Sequence, residues 1–128
     1  MTETFDIYND EYYILYITKE KLVDRYINFC VKIKDHDFAG AHSFCIMLED
    51  FNSLICDLEE MNRTLNGKVR IEDWDSGSWI EILVNKKRVY TKGQLGSLME
   101  PNMLTFEQIL DQTIIKLLLD CFKCFINT

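Results

Sequence analysis

The hydrophobic period of this chain changes along its length, and each change fixes what that stretch of backbone can become. From Asp24 to Lys34, apolar and polar residues alternate: Phe29, Val31 and Ile33 fall on one face, and Asn28, Cys30, Lys32 and Lys34 on the other. A period of two matches the pleat of a strand with one buried face. Phe44, Ile46 and Leu48 repeat the pattern after a loop at residues 35–42, so a hairpin is expected. The spacing then becomes three and four. Phe51, Leu54, Ile55, Leu58, Met61 and Leu65 form one apolar stripe of a helix, with Asp57, Glu59, Glu60 and Arg63 facing water. Glu49 and Asp50 sit near its electropositive start, and Asn66-Gly67 is the expected stop.

Short β segments precede and follow this helix. Tyr12 to Ile17 is aromatic and β-branched, and Thr18-Lys19-Glu20-Lys21 reads as a turn. Lys68 to Trp74, Trp79 to Val84 and Arg88 to Gln94 are separated by Asp75-Ser76-Gly77 and Asn85-Lys86-Lys87. Met103 to Ile109, preceded by Pro101-Asn102, is a further strand candidate. Asp111 then caps a helix through Ile114, Ile115, Leu118, Phe122 and Phe125, apolar over an arc wide enough to pack deeply. Turns of hairpin length, with no crossover helices, predict antiparallel pairing. The expected class is α+β: an antiparallel β-sheet of about six to seven strands, with two α-helices packed on one face. At 128 residues the chain reads as a single domain over 1–128. Its polar, acidic residues 1–11 are expected to form a loosely held N-terminal arm.

Composition narrows the function. With 21 acidic against 14 basic residues, the net charge is −7. Nucleic-acid binding requires a basic surface, and anionic membranes repel an acidic one, so neither partner is expected. A basic protein partner is favoured. No basic and apolar leader follows Met1, and no apolar run approaches the roughly 20 residues of a membrane span, so a cytoplasmic location is expected. Five cysteines, an odd number, fit buried thiols better than a disulfide framework.

The chemistry-bearing motifs are sparse. Cys121-Phe122-Lys123-Cys124 is a CxxC at the far end of a helix, where the dipole opposes a thiolate, and no second CxxC completes a zinc site. Asp35-His36-Asp37 with His42 is the one cluster of metal-capable side chains, and its spacing matches no zinc or calcium motif. No nucleophile elbow, phosphate loop or dinucleotide fingerprint occurs, and Gly93-Gln94-Leu95-Gly96 reads as a strand end with a bend. No enzyme activity, cofactor or metal is therefore expected. The residues that suit recognition lie between Arg70 and Tyr90. Alternation puts Arg70, Glu72 and Trp74 on one strand face and Trp79, Glu81 and Leu83 on the next, with Arg88 and Tyr90 as candidates for the same face. Trp, Tyr and Arg dominate interface hot spots. The competing reading is that Trp74 and Trp79 pack against a loop or the N-terminal arm.

The order of motifs in the second half carries a resemblance. The helix with Leu54, Leu58 and Leu65 leads into Asn66-Gly67 and Val69-Arg70-Ile71; a strand pair is followed by Gly93-Gln94-Leu95, Leu104-Thr105-Phe106-Glu107 and Asp111-Gln112-Thr113. Over residues 25 to 126 this resembles the WapI-like immunity proteins of bacterial contact-dependent toxin systems. The resemblance implies a non-enzymatic cytoplasmic protein that binds and neutralises a cognate toxin domain. Arg70, Glu72, Trp74, Trp79, Glu81 and Tyr90 are the candidate partner-binding residues. Two alternatives stand beside it: a small-ligand-binding domain using a cavity between sheet and helices, and an enzyme using Asp35, His36, Asp37 and His42.

Overall fold

The computed structural model of the chain describes residues 3–20, 23–96 and 103–126. Lys21 of the expected turn and Pro101-Asn102 before the expected strand lie outside the described residues. The class is α+β, as the periodicities predict. The strands β1 (Thr4–Asn9), β2 (Tyr13–Lys19), β3 (Tyr26–Asp35) and β4 (Phe38–Met47) precede helix α1 (Leu48–Thr64). The strands β5 (Asn66–Glu72), β6 (Trp79–Asn85), β7 (Arg88–Leu95) and β8 (Leu104–Asp111) precede helix α2 (Thr113–Ile126).

The strands do not join into one sheet. They form two four-stranded antiparallel sheets, A in the order β1-β2-β3-β4 and B in the order β5-β6-β7-β8. The break falls at α1, whose 17 residues separate β4 from β5. Two further expectations give way. Residues 4–9 of the supposed arm are strand β1, because Phe5 and Ile7 supply apolar anchors within the acidic stretch. Ile7 is buried, and Phe5 meets Phe125 edge-on at 5.9 Å. The loop expected at 35–42 is a two-residue turn, His36-Asp37: Asp35 pairs with Phe38, and His36 takes a left-handed φ of 58°.

Each sheet has one buried face. On sheet A it comprises Leu15, Ile17, Ile27, Phe29, Val31, Ile33, Phe44 and Ile46. Phe29 gathers an aromatic cluster on that face, with Phe44, Phe51, Phe122 and Phe125 centred between 5.4 and 6.2 Å from it. Both helices therefore lie on the inner face of sheet A. The inner face of sheet B, with Val69, Ile71, Ile80, Ile82, Val84, Val89, Phe106 and Leu110, belongs to the same core.

The helix ends are set locally. α1 stops one residue before the expected signal, since Leu65 itself turns left-handed (φ 54°) and its N–H returns to the Met61 carbonyl. Asp111 behaves as expected: its Oδ1 accepts the Thr113 N–H at 3.0 Å. Residues 93–96 close a strand with a bend, as expected: β7 runs to Leu95, and Gly93 lies on its inner face, where a Cβ would sit 2.2 Å from the Trp79 carbonyl oxygen. The bend comes at Gly96, with φ of 111°.

The sheets are tied by a buried side chain that the apolar pattern does not announce. Gln108 on β8 is 1% exposed. Its Nε2 donates to the carbonyls of Ile14 and Lys34, both at 3.1 Å, and its Oε1 accepts the Thr91 hydroxyl at 2.9 Å. Ile14 and Lys34 face each other across β2 and β3, so one amide holds both strands of sheet A to sheet B. Gln108→Leu leaves these partners unsatisfied in the core. A loss of about 2–4 kcal/mol is expected, read as a lowered urea midpoint with unchanged slope.

Candidate functional site

Twisted antiparallel pairing lines residues of one parity into rows across a sheet. The register of sheet B builds four such rows on its outer face. They are Asn66–Asn85–Arg88–Asp111, Lys68–Leu83–Tyr90–Ile109, Arg70–Glu81–Lys92–Glu107, and Glu72–Trp79–Gln94–Thr105. Five of the six candidate partner-binding residues, namely Arg70, Glu72, Trp79, Glu81 and Tyr90, stand together on this face.

Leu83, Tyr90 and Ile109 make an unbroken apolar row at 41%, 37% and 49% exposure. Beside it, the charges alternate in sign along the next row. Glu81 sits at its middle, approached by Lys68 at 3.8 Å, Arg70 at 3.9 Å and Lys92 at 3.7 Å. Arg70 donates to Glu72 at 2.6 Å and lies over the Trp79 ring, 4.2 Å from its centroid. The side chains are thus held in place by contacts within the sheet face itself.

Trp74 stands apart from this face. β5 ends at Glu72, and the Trp74 N–H donates to the Cys45 carbonyl at the edge of sheet A. Its ring, 67% exposed, leans on Tyr26 at 5.9 Å. With Met47, Asp50, Ser53, Asp57 and Glu72 it lines a surface groove of about 420 Å³ between the start of α1 and the end of β5. Alternation alone could not show that Trp74 leaves the strand, because the pleat continues while the pairing partner changes.

The residue that redirects the chain is Asp73, buried beside Trp74. Its Oδ1 accepts the Cys45 N–H at 2.8 Å, and its Oδ2 accepts the Ser76 N–H at 2.9 Å and the Ser76 hydroxyl. The Ser78 hydroxyl continues the network, donating to the Gly96 carbonyl and accepting the Gly96 N–H at 2.9 Å. Burial disfavours the Asp73 carboxylate, but the hydrogen bonds from Ser76 and Cys45 outweigh it and hold its pKa below the ordinary 3.8.

The other chemical candidates are dispersed. His36, at the hairpin tip, has its Nδ1 2.7 Å from Asp35 and packs beside Tyr12 and Tyr13. His42 lies up β4, opposite Val31, with Nε2 3.9 Å from Asp73. Among the described residues, no group of three or more His, Cys, Asp or Glu side chains could hold a metal ion. In the CxxC, Cys121 is buried, which pushes its thiol pKa far up, and Cys124 is exposed; all five cysteines are free thiols. No helix among the described residues is long and apolar enough to cross a membrane. No family model, curated protein or solved structure matches the chain.

The lowered Asp73 pKa fixes the sign of an acid effect. A carboxyl with a depressed folded pKa adds stability above its unfolded value, near 3.8, and that stability is lost as pH falls through the folded value. Asp73→Asn is expected to cost about 2 kcal/mol of stability at pH 7. It should also flatten the fall in stability below about pH 4, measured by urea denaturation at a series of pH values.

Proposed function

We propose that this chain is a non-enzymatic protein that binds a basic partner protein, and that the partner is a toxin domain which it neutralises. The reading rests on the residues that resemble the WapI-like immunity proteins and on one structural observation: the distribution of charge. The four rows of sheet B carry Lys68, Arg70, Arg88 and Lys92 against Glu72, Glu81, Glu107 and Asp111. These cancel, which leaves ten basic against seventeen acidic residues on the remainder and places the whole net charge of −7 there.

Helix α1 is a large part of that acidic remainder, exposing Glu49, Asp50, Asp57, Glu59 and Glu60. Glu49, Glu59 and Glu60 meet Arg25, Lys123 and Arg63 respectively. Asp50 and Asp57 instead line the groove with Trp74 and the Arg70–Glu72 pair. An exposed aromatic ring next to carboxylates suits a lysine or arginine side chain of a partner, through cation–π contact and charge. Acidic potential over this side also steers a basic partner toward it.

The test begins with the reading frames that neighbour this gene: a toxin domain encoded there is expected to bind the chain, measured by calorimetry and by rescue of growth on co-expression. Asp50→Lys with Asp57→Lys is expected to weaken binding at least tenfold and to remove most of its salt dependence, with the thermal midpoint little changed. Wild-type affinity in that double variant would move the toxin contact off the groove. No binding and no rescue by the wild-type chain would overturn the reading.

A further inference from the structure

We propose that the outer face of sheet B is a self-association surface, on which a second copy of this chain docks through a two-fold axis parallel to the strands. This inference concerns a different partner from the toxin reading, and its face shares only Arg70 and Glu72 with the groove, so its tests use Leu83, Ile109, Glu81 and Lys92, which do not line the groove.

Like-charged molecules of net charge −7 repel each other over most of their surface. The outer face of sheet B is where that repulsion vanishes, since its four basic and four acidic residues balance. It also carries the exposed apolar row Leu83, Tyr90 and Ile109. A neutral face with an apolar stripe on an otherwise acidic body selects a second copy over a strongly basic partner.

The order of the charges selects the axis. A two-fold axis running between β6 and β7, parallel to them, keeps every row at its level and exchanges β5 with β8 and β6 with β7 across the interface. Glu81 then faces Lys92 of the second copy, and Arg70 faces Glu107. Leu83 faces Tyr90, and Lys68 extends its stem over Ile109. No two like charges oppose. A two-fold axis at right angles to the strands, set between the two middle rows, would instead lay the apolar row on the charged row, burying Glu81 and Lys92 against Leu83 and Tyr90; set on the apolar row, it would oppose Lys68 to its own copy, Arg88 to Lys92 and Asp111 to Glu107. Aligned face-to-face packing of two twisted sheets accommodates the first arrangement. The patch is roughly 20 Å on a side, at the small end of specific interfaces with about 600 Å² per copy. A dissociation constant on the order of 10 µM is therefore expected at low salt.

Sedimentation equilibrium of the full chain from about 1 to 300 µM reads this directly. A shift from 15.2 kDa toward twice that mass is expected. Ile109→Glu and Leu83→Lys, both at exposed positions, should each keep the chain monomeric with unchanged circular dichroism. The axis is tested by charge reversal. Glu81→Lys alone and Lys92→Glu alone each set like charges face to face, and each should weaken the dimer at least tenfold; because each also crowds like charges within its own sheet, circular dichroism first establishes that the variant is folded. An equimolar mixture of the two variants should form a heterodimer, because the lysine introduced in one chain then faces the glutamate introduced in the other. A wild-type chain that stays monomeric at about 300 µM would overturn the proposal. So would a dimer that Ile109→Glu and Leu83→Lys leave intact. Failure of the mixture to heterodimerise, with both apolar variants monomeric, would overturn the axis.

Discussion

Two sheets built in succession along one chain can share a core only if the backbone groups at their junction find partners. In this protein that condition is met by two buried polar side chains. Gln108 reaches from β8 to the carbonyls of Ile14 and Lys34, and Asp73 takes the free Cys45 N–H at the edge of β4. A buried carbonyl or N–H without a partner costs on the order of 1–3 kcal/mol, so each tie decides more than its own bond energy. The Asp73 tie has a second consequence. By fixing residues 73–78, it turns Trp74 toward Tyr26 and away from Trp79. One carboxylate thereby sets Trp74 in the groove and off the sheet face, while Arg70 and Glu72 border both.

On either side of that border the surface differs electrostatically. Sheet B turns outward a neutral, sign-alternating face with an apolar row, while the excess carboxylates lie elsewhere, many of them on α1. Charges on neighbouring strands are close enough to neutralise one another, as the three cations around Glu81 do. Carboxylates on a helix next to a groove project a field into solvent. The two regions therefore suit partners of different kinds, a basic protein on the acidic side and a second copy on the neutral one.

Much of the architecture was legible in the residues. The stripe from Phe51 to Leu65 specified α1, the alternation at Phe29, Val31 and Ile33 specified β3, and Asp111 specified the start of α2. Each is a local pattern in which the period of burial equals the period of the backbone. Strand β1 escaped because two apolar anchors, Phe5 and Ile7, sit in an acidic stretch too short for a periodic signal. The two-residue turn at His36-Asp37 escaped because a histidine in left-handed conformation gives none of the glycine cues of a tight turn.

Of the candidate site, five residues were correctly grouped by alternation alone, since parity along a strand can be read without knowing its neighbours. Ile109 and Lys92 were missed as members of the face. Their place depends on which strand pairs with β7, and Ile109 stood out only as an apolar residue on the polar parity of its strand. Local periodicity and composition were enough to set both helices, most of the strands and their buried faces, and the net charge. The division of the strands into two sheets, the departure of Trp74 from its strand and the absence of excess charge on sheet B came from the folded arrangement. Those outcomes depend on contacts between residues far apart in the chain, where hydrogen-bond satisfaction and packing choose among arrangements that local pattern leaves equal.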